Sequence, residues 1–393
     1  MIDILNKNNL QVKIYLNKVL LMKICFRVDA SFKMGTGHVM RCLALAEKLK
    51  ENGHFITFIC RAHDGNLCNF IKSKGYIVYK LVTNSNSNKS IGSLKHSEWL
   101  GVTQIEDVTQ TRQIMTNYNL DFEWIVIDHY AIDKTWEVEI RNHIPNIMVI
   151  DDIADREHKC DILLDQNYYH LAGVRYEGLV SKDCIKLLGP KYSLLRDEFV
   201  NYHMCPKIPN NRLSIMVFFG GSDPTNETLK ALTALLRIIE VIKGDDITIH
   251  VVVGQSNLHK NIIKDKCELS SNIIFHCNID YMAKLMHSVD FAICAGGSTT
   301  WERYCVGTPA ILTAIAYNQI EICENVQQLG IDQYIGFSDD VSHQTIELEV
   351  RNMIDGFSKS QQLRAKAKKI VDGQGKERVV RVLENISNKN KLY

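Results

Sequence analysis

A histidine directly after two glycines, in Met34-Gly35-Thr36-Gly37-His38-Val39-Met40-Arg41, is placed to exchange a proton beside a bound anion. Glycines let backbone come close to a ligand, and a helix starting there offers free N–H groups and the positive end of its dipole. Such a turn also serves simply to pack a helix on a strand, so the neighbouring sequence has to decide. A second stretch, Ala295-Gly296-Gly297-Ser298-Thr299-Thr300-Trp301-Glu302, joins two glycines to hydroxyls. The N–H groups of Gly297, Ser298 and Thr299 suit a phosphate or diphosphate held without a metal, and Glu302, a turn further on, suits ribose hydroxyls. The plain alternative for Ser298 and Thr299 is a helix N-cap. Gly220-Gly221-Ser222, followed by Asp223, repeats the pattern. Asn318 and Glu321, three residues apart, share one face at the start of a helix, where Glu321 would equally serve a capping box.

These loops need strands and helices to hold them, and the apolar spacing supplies both. Lys23-Ile24-Cys25-Phe26-Arg27-Val28 reads as a buried strand, and residues 38–52 as an amphipathic helix ending at Gly53. Strands follow at 55–60, 76–79, 123–127 and 147–150, with helices leading to Gly75 and preceding Glu123, an alternation that implies a parallel sheet. Ligands of such sheets bind beyond the carboxyl ends of the strands, where Asp128-His129-Tyr130 and Asp151-Asp152 fall. Asp151 and Asp152 are read first as helix caps. The aperiodic stretch Cys205-Pro206-Lys207-Ile208-Pro209-Asn210-Asn211 breaks the pattern, and strands resume at 215–219, 247–253, 273–275, 291–294 and 310–313. The expected organisation is an extension at 1–21, or the product of an upstream start codon before Met22; a first domain at 22–200; a linker at 201–212; a second domain at 213–372; and a C-terminal helix at 373–393. Asn84-Ser85-Asn86-Ser87-Asn88-Lys89-Ser90 reads as a surface insert.

With 393 residues, 46% apolar and 23% charged, the chain has the balance of a folded globular protein with room for two cores. Its 46 basic and 45 acidic residues leave no general field for nucleic acid or anionic membrane, so an anion must be met locally. Twelve cysteines, none in a Cys-x-x-Cys pair and several inside apolar strands, fit small buried hydrophobes in a reducing cytoplasm. No apolar run reaches the ~20 residues of a membrane span. No Asp-x-Asp or His-rich cluster calls for a divalent ion, and no cofactor is expected.

Together, Arg27-Val28-Asp29-Ala30-Ser31, Gly35 through Ala46, Ile127-Asp128-His129-Tyr130, Gly220 through Asp223 and Gly296 through Glu302 resemble the UDP-2,4-diacetamido-2,4,6-trideoxy-β-L-altropyranose hydrolases of pseudaminic acid biosynthesis. That family is related in fold to the GT-B glycosyltransferase that makes lipid II, and the likeness runs from residue 22 to about 385. It implies an α/β chain of GT-B type, with two Rossmann-like αβα domains whose parallel sheets face each other across a cleft and UDP held mainly by the second. It also implies that His38 is the catalytic base, with Tyr130, Asn318 and Glu321 around the sugar and the water. Gly35, Gly37, Arg196, Gly221, Ser222, Gly297, Ser298, Thr299 and Glu302 fall to substrate and UDP binding. The implied partner is a small UDP-sugar, with neither nucleic acid nor membrane, on a cytoplasmic monomer. The extension and the Asn/Ser insert depart from the shorter family pattern.

Three other functions share these motifs. A glycosyltransferase differs only in admitting a hydroxyl acceptor in place of water, and the absence of an apolar or basic docking surface weighs against a lipid acceptor. A binding protein without turnover needs the glycine loops but not His38. A UDP-sugar epimerase of the same fold is the third.

Overall fold

The computed structural model describes residues 21–83, 92–208, 212–242, 246–356 and 360–390. Almost all of the expected extension, the Asn/Ser insert and residues 209–211 of the expected linker lie outside them.

In the first half, β1 (Lys23–Val28), α1 (Gly37–Glu51), β2 (Phe55–Arg61), α2 (Cys68–Ser73) and β3 (Ile77–Leu81) are followed by a 3₁₀ turn at Ser97–Leu100. Then come α3 (Gln104–Asn117), β4 (Trp124–Asp128), α4 (Lys134–Arg141), β5 (Asn146–Ile150), β6 (Ile162–Asp165), β7 (Ile185–Leu188) and α5 (Asp197–His203). The seven strands form one sheet in the order β3-β2-β1-β4-β5-β6-β7, and every pairing is parallel.

The second half runs β8 (Leu213–Phe218), α6 (Glu227–Ile242), β9 (Ile247–Val253), α7 (Lys260–Cys267), β10 (Ile273–Cys277), α8 (Met282–Ser288), β11 (Phe291–Ala295) and α9 (Thr299–Val306). It ends with β12 (Ala310–Ala314), α10 (Tyr317–Gln327), β13 (Gln333–Phe337), α11 (His343–Asp355), α12 (Ser360–Ile370) and α13 (Gly375–Asn390). Its sheet, again parallel, has the order β10-β9-β8-β11-β12-β13. Two Rossmann-like αβα domains of the GT-B fold are therefore present, as the sequence implied.

Strand order explains where the chemistry gathers. In each sheet the chain first winds outward from one central strand, β1 or β8, and then crosses back to build on its other side with β4 or β11. The connections leaving the two strands at such a reversal diverge, which opens a crevice at their carboxyl ends. The glycine–histidine turn follows β1 and Asp128 ends β4; the loops at Gly220 and Gly296 follow β8 and β11.

The strands bury Ile, Val, Phe and Cys on both faces, which parallel sheets covered by helices require. Two crossings tie the halves together. Phe199 of α5 packs into the second half's core beside Trp301 and Tyr304, and α13 returns Val379, Val380 and Leu383 to the first half's core beside Met22 and Ile24. Cys160 and Cys184 are buried thiols 3.6 Å apart, and no cysteine of the described residues is in a disulfide.

Candidate active site

His38 is the second residue of α1, one turn before Arg41, so both side chains leave the helix on the same face. Gly35 makes the entry possible: at φ +73° its N–H turns back to the Ser31 carbonyl at 2.9 Å, in a left-handed conformation that costs other residues strain. Thr36 stands at the N-cap without a side-chain bond to the helix, and the first turn holds no acidic residue. The α1 N-terminus is thus unneutralised by its own side chains.

Asp128, buried at the end of β4, organises what surrounds His38. Its Oδ1 lies 2.5 Å from His38 Nδ1 and accepts from Arg41 at 2.7 Å, while Oδ2 accepts from Arg41 Nε at 2.6 Å. Burial pushes this carboxyl up, but Arg41 and His38 outweigh it and hold it well below the usual carboxylate range. An ionised Asp128 requires the proton of a neutral His38 to sit on Nδ1, which leaves the Nε2 lone pair free to accept one. Arg41 reaches on to Asp152 at 2.8 Å, and the Tyr130 hydroxyl donates to the same carboxylate. The Tyr130 ring meets His38 edge-on at 4.6 Å and is stacked by Trp99 at 5.7 Å, with His96 beside both.

Several expectations change in detail. Tyr130, expected around the sugar and the water, lies against His38 through its ring, while its hydroxyl is committed to Asp152. Burial pushes that phenol far up and Asp152 adds to the effect, so it stays a proton donor. Asp152 does not cap a helix, whereas Asp151 does cap a turn, accepting from Ala154 N–H at 2.9 Å. Asp128 and Asp152 were placed by the sequence only at strand ends where ligands gather, Asp128 also within the family motif and Asp152 with a helix cap as its first reading, and neither was given a role; Trp99 was not singled out.

The second domain's loops are unequal. At α9 the Ser298 side chain makes no capping bond, so this helix end, like that of α1, is uncapped, although its first turn holds Glu302. The two open ends face one another: a Cβ on Gly37 would lie 3.6 Å from Ser298 Oγ. Two uncapped helix ends brought this close together favour an anion alongside both. At α6, by contrast, Asp223 accepts from the N–H groups of Glu227 and Thr228, both at 2.9 Å, so its own carboxylate occupies the helix end. Gly221 there packs on Gly254, where a Cβ would come 2.2 Å from the Gly221 oxygen; Ser222 is half-buried. Gly296 meets Cys323 of α10 in the same close manner.

Arg196 and Glu302, both expected at substrate, pair with each other across the domains at 3.3 Å, and Arg196 also binds Glu198. Burial raises the Glu302 carboxyl while Arg196 opposes it. Asn318 is half-buried in the first turn of α10, and Glu321 on the same helix is ion-paired with Arg175 of the first domain. Among the described residues no group of three or more His, Cys, Asp or Glu is placed to hold a metal, and no helix is long and apolar enough to cross a membrane.

Fold and site define a two-domain GT-B protein, and residues 215–377 match the glycosyltransferase family 28 C-terminal domain. The chain is 29% identical over 283 residues to the UDP-2,4-diacetamido-2,4,6-trideoxy-beta-L-altropyranose hydrolase of Campylobacter jejuni, a span covering 72% of this chain and 87% of that one. The resemblance read from the motifs therefore holds. It is also 30% identical over 301 residues, 74% of its length, to the uncharacterized protein MJ1062 of Methanocaldococcus jannaschii, of which it spans only 55%. Among solved structures, MurG of Acinetobacter baumannii superposes with a TM-score of 0.61 at 12% identity, over 93% of this chain and 99% of that one.

Proposed function

We propose that the chain hydrolyses UDP-2,4-diacetamido-2,4,6-trideoxy-β-L-altropyranose to UDP and the free sugar, without a metal, in pseudaminic acid biosynthesis. The observation that carries this is the meeting of two uncapped helix ends beside a histidine whose Nδ1 is held by an ionised aspartate. A diphosphate held alongside the adjoining ends at Gly37 and Ser298 would be favoured by both dipoles, and the charge that develops on UDP as its bond to the anomeric carbon breaks would be stabilised there. A water attacking that carbon gives its proton to His38 Nε2, and the Asp128 carboxylate stabilises the imidazolium that results. The Campylobacter relative, matched over most of its length, supports the choice of sugar.

A glycosyltransferase is the second reading, favoured by the family 28 match. The deciding experiment is UDP release from the UDP-diacetamido sugar in EDTA with no acceptor, for wild type, His38→Ala and His38→Phe. The hydrolase requires release that survives EDTA and drops by about 10²–10⁴-fold in both variants. No release without an acceptor, despite UDP binding, would transfer the case to the glycosyltransferase.

A further inference from the structure

The segment 166–184 between β6 and β7 leaves the first domain, packs Tyr168, Tyr169 and Ala172 against the second and holds it with three hydrogen bonds. Asn167 Oδ1 accepts from Trp301 Nε1 at 2.8 Å, His170 N–H donates to Asn325 Oδ1 at 2.9 Å, and Arg175 donates to Glu321. Glu321 and Asn325 are four apart on α10, hence on one face of the helix whose first turn carries Asn318. Of the three contacts, the one from Arg175 alone ends on a side chain expected to touch substrate.

Arg175 is fixed before it reaches Glu321. Its guanidinium lies 3.5 Å above the Tyr169 ring, donates to the Asp152 carbonyl at 3.1 Å and approaches Asp165 to 3.4 Å. Tyr169 donates to the same Asp152 carbonyl at 2.8 Å. The arginine side chain is 12% exposed, whereas that of Glu321 is 53% exposed and has no comparable packing of its own. Asp152 is also the residue whose carboxylate takes Arg41 and Tyr130 behind His38. One continuous set of bonds therefore runs from His38 through Asp128, Arg41 and Asp152 to Arg175 and then to Glu321 on the opposite domain.

We propose that Arg175 is the positioning residue for Glu321, setting the carboxylate of the second domain in register with the His38 base of the first. The inference rests on the hydrolase reading for Glu321's role. A planar, permanently charged fork stacked on an aromatic ring suits this task better than a flexible ammonium.

The test is a cycle of Arg175→Ala, Glu321→Gln and the double variant, with Arg175→Lys as the conservative change and Asn325→Ala as a control that removes a neighbouring domain contact. For each, kcat and KM for UDP release and the Kd for UDP are measured, with far-UV circular dichroism as the folding check. Positioning predicts that Arg175→Ala lowers kcat about 10- to 100-fold and leaves the UDP Kd within about 3-fold. Arg175→Lys recovers part of the loss, and Arg175→Ala on the Glu321→Gln background costs little more. Asn325→Ala stays near wild type. Loss of UDP affinity in step with kcat, additive effects in the double variant, or the same loss in Asn325→Ala would overturn the inference. If Arg175→Ala does not fold, the same comparisons are made with Arg175→Lys. Failure of the hydrolase reading shows separately, as wild type that releases UDP only with an acceptor; the variant-to-wild-type ratios are then taken in that reaction.

Discussion

At the scale of single residues the site is held by buried ionisable groups, and two of its carboxyls make opposite demands on pH. Asp128 is stabilised as an anion by Arg41 and His38 despite its burial. Asp128→Asn keeps the shape but lets an amide N–H face His38 Nδ1, which moves the imidazole proton to Nε2 and removes the base. Its kcat should fall by about 10²–10⁴-fold while UDP binding, measured by titration, is little changed; an unaltered kcat would remove Asp128 from the mechanism. Asp165 is the converse case. Burial, with Asp152 beside it, pushes its carboxyl well above the usual range, so folding takes up a proton there. The stability it provides is present in acid, below the unfolded value of about 4, and is lost as pH rises through the folded value. Asp165→Asn abolishes that dependence, so the variant's unfolding midpoint should gain on wild type as pH rises above about 4. A gap that is constant with pH would mean that Asp165 titrates alike in both states. His38 was legible because glycines frame it. Asp128 and Asp152 were legible only as strand-end positions without a role, and Arg175 not at all, because acidic and basic residues at strand ends and in loops gain their roles from partners some 90 to 150 positions away.

At the scale of elements, what matters is which helix ends remain open. Three strand–glycine–helix turns look alike in sequence, yet Asp223 closes the one at α6 while those at α1 and α9 have no side-chain cap. The distinction lay in one residue, whose capping role depends on a backbone at φ +43° that the sequence does not announce. It gives a prediction in which stability and function move in opposite directions. Ser298→Asp places a carboxylate at the α9 N-terminus, where it should stabilise the helix by about 0.3–1 kcal/mol and raise the unfolding midpoint. The same charge should weaken UDP binding by about 10-fold or more, as a titration would report. Unchanged UDP affinity would place the diphosphate elsewhere. Apolar strands of five residues or more were read directly, but β6, β7 and β13 were missed. β6 and β7 have only four residues, and β7 and β13 are mostly exposed or half-buried, so none carries enough apolar pattern to stand out from loops. They are nonetheless consequential, since β6 and β7 anchor the segment that carries Arg175.

At the scale of the molecule, the two domains do not follow the order of the chain. The sequence shows two runs of βα alternation and a final pair of helices, but nothing in the pattern of α13 says which half it covers. It covers the first: Val379, Val380 and Leu383 lie among Met22, Ile24 and Trp124, and the Trp124 indole donates to Ser387 at 2.7 Å. Gly375 permits the return, since a Cβ there would fall 2.2 Å from the Ser193 oxygen. Burial of three such aliphatic side chains contributes about 1.5–3 kcal/mol each, which together approaches the whole stability of an ordinary domain, about 5–15 kcal/mol. A chain ending at Val371 should therefore lose the first domain's fold rather than merely a tail. The measurement is limited proteolysis read by mass spectrometry: residues 22–190 should become the cleaved region while the second domain, whose own core loses none of these residues, resists. Supplying a peptide of residues 372–390 should restore protection if α13 acts by covering that core. Truncated protein whose first domain resists protease as well as the full chain would show that the His38 domain stands without its last helix, and that the site's precision comes from the interdomain bonds alone.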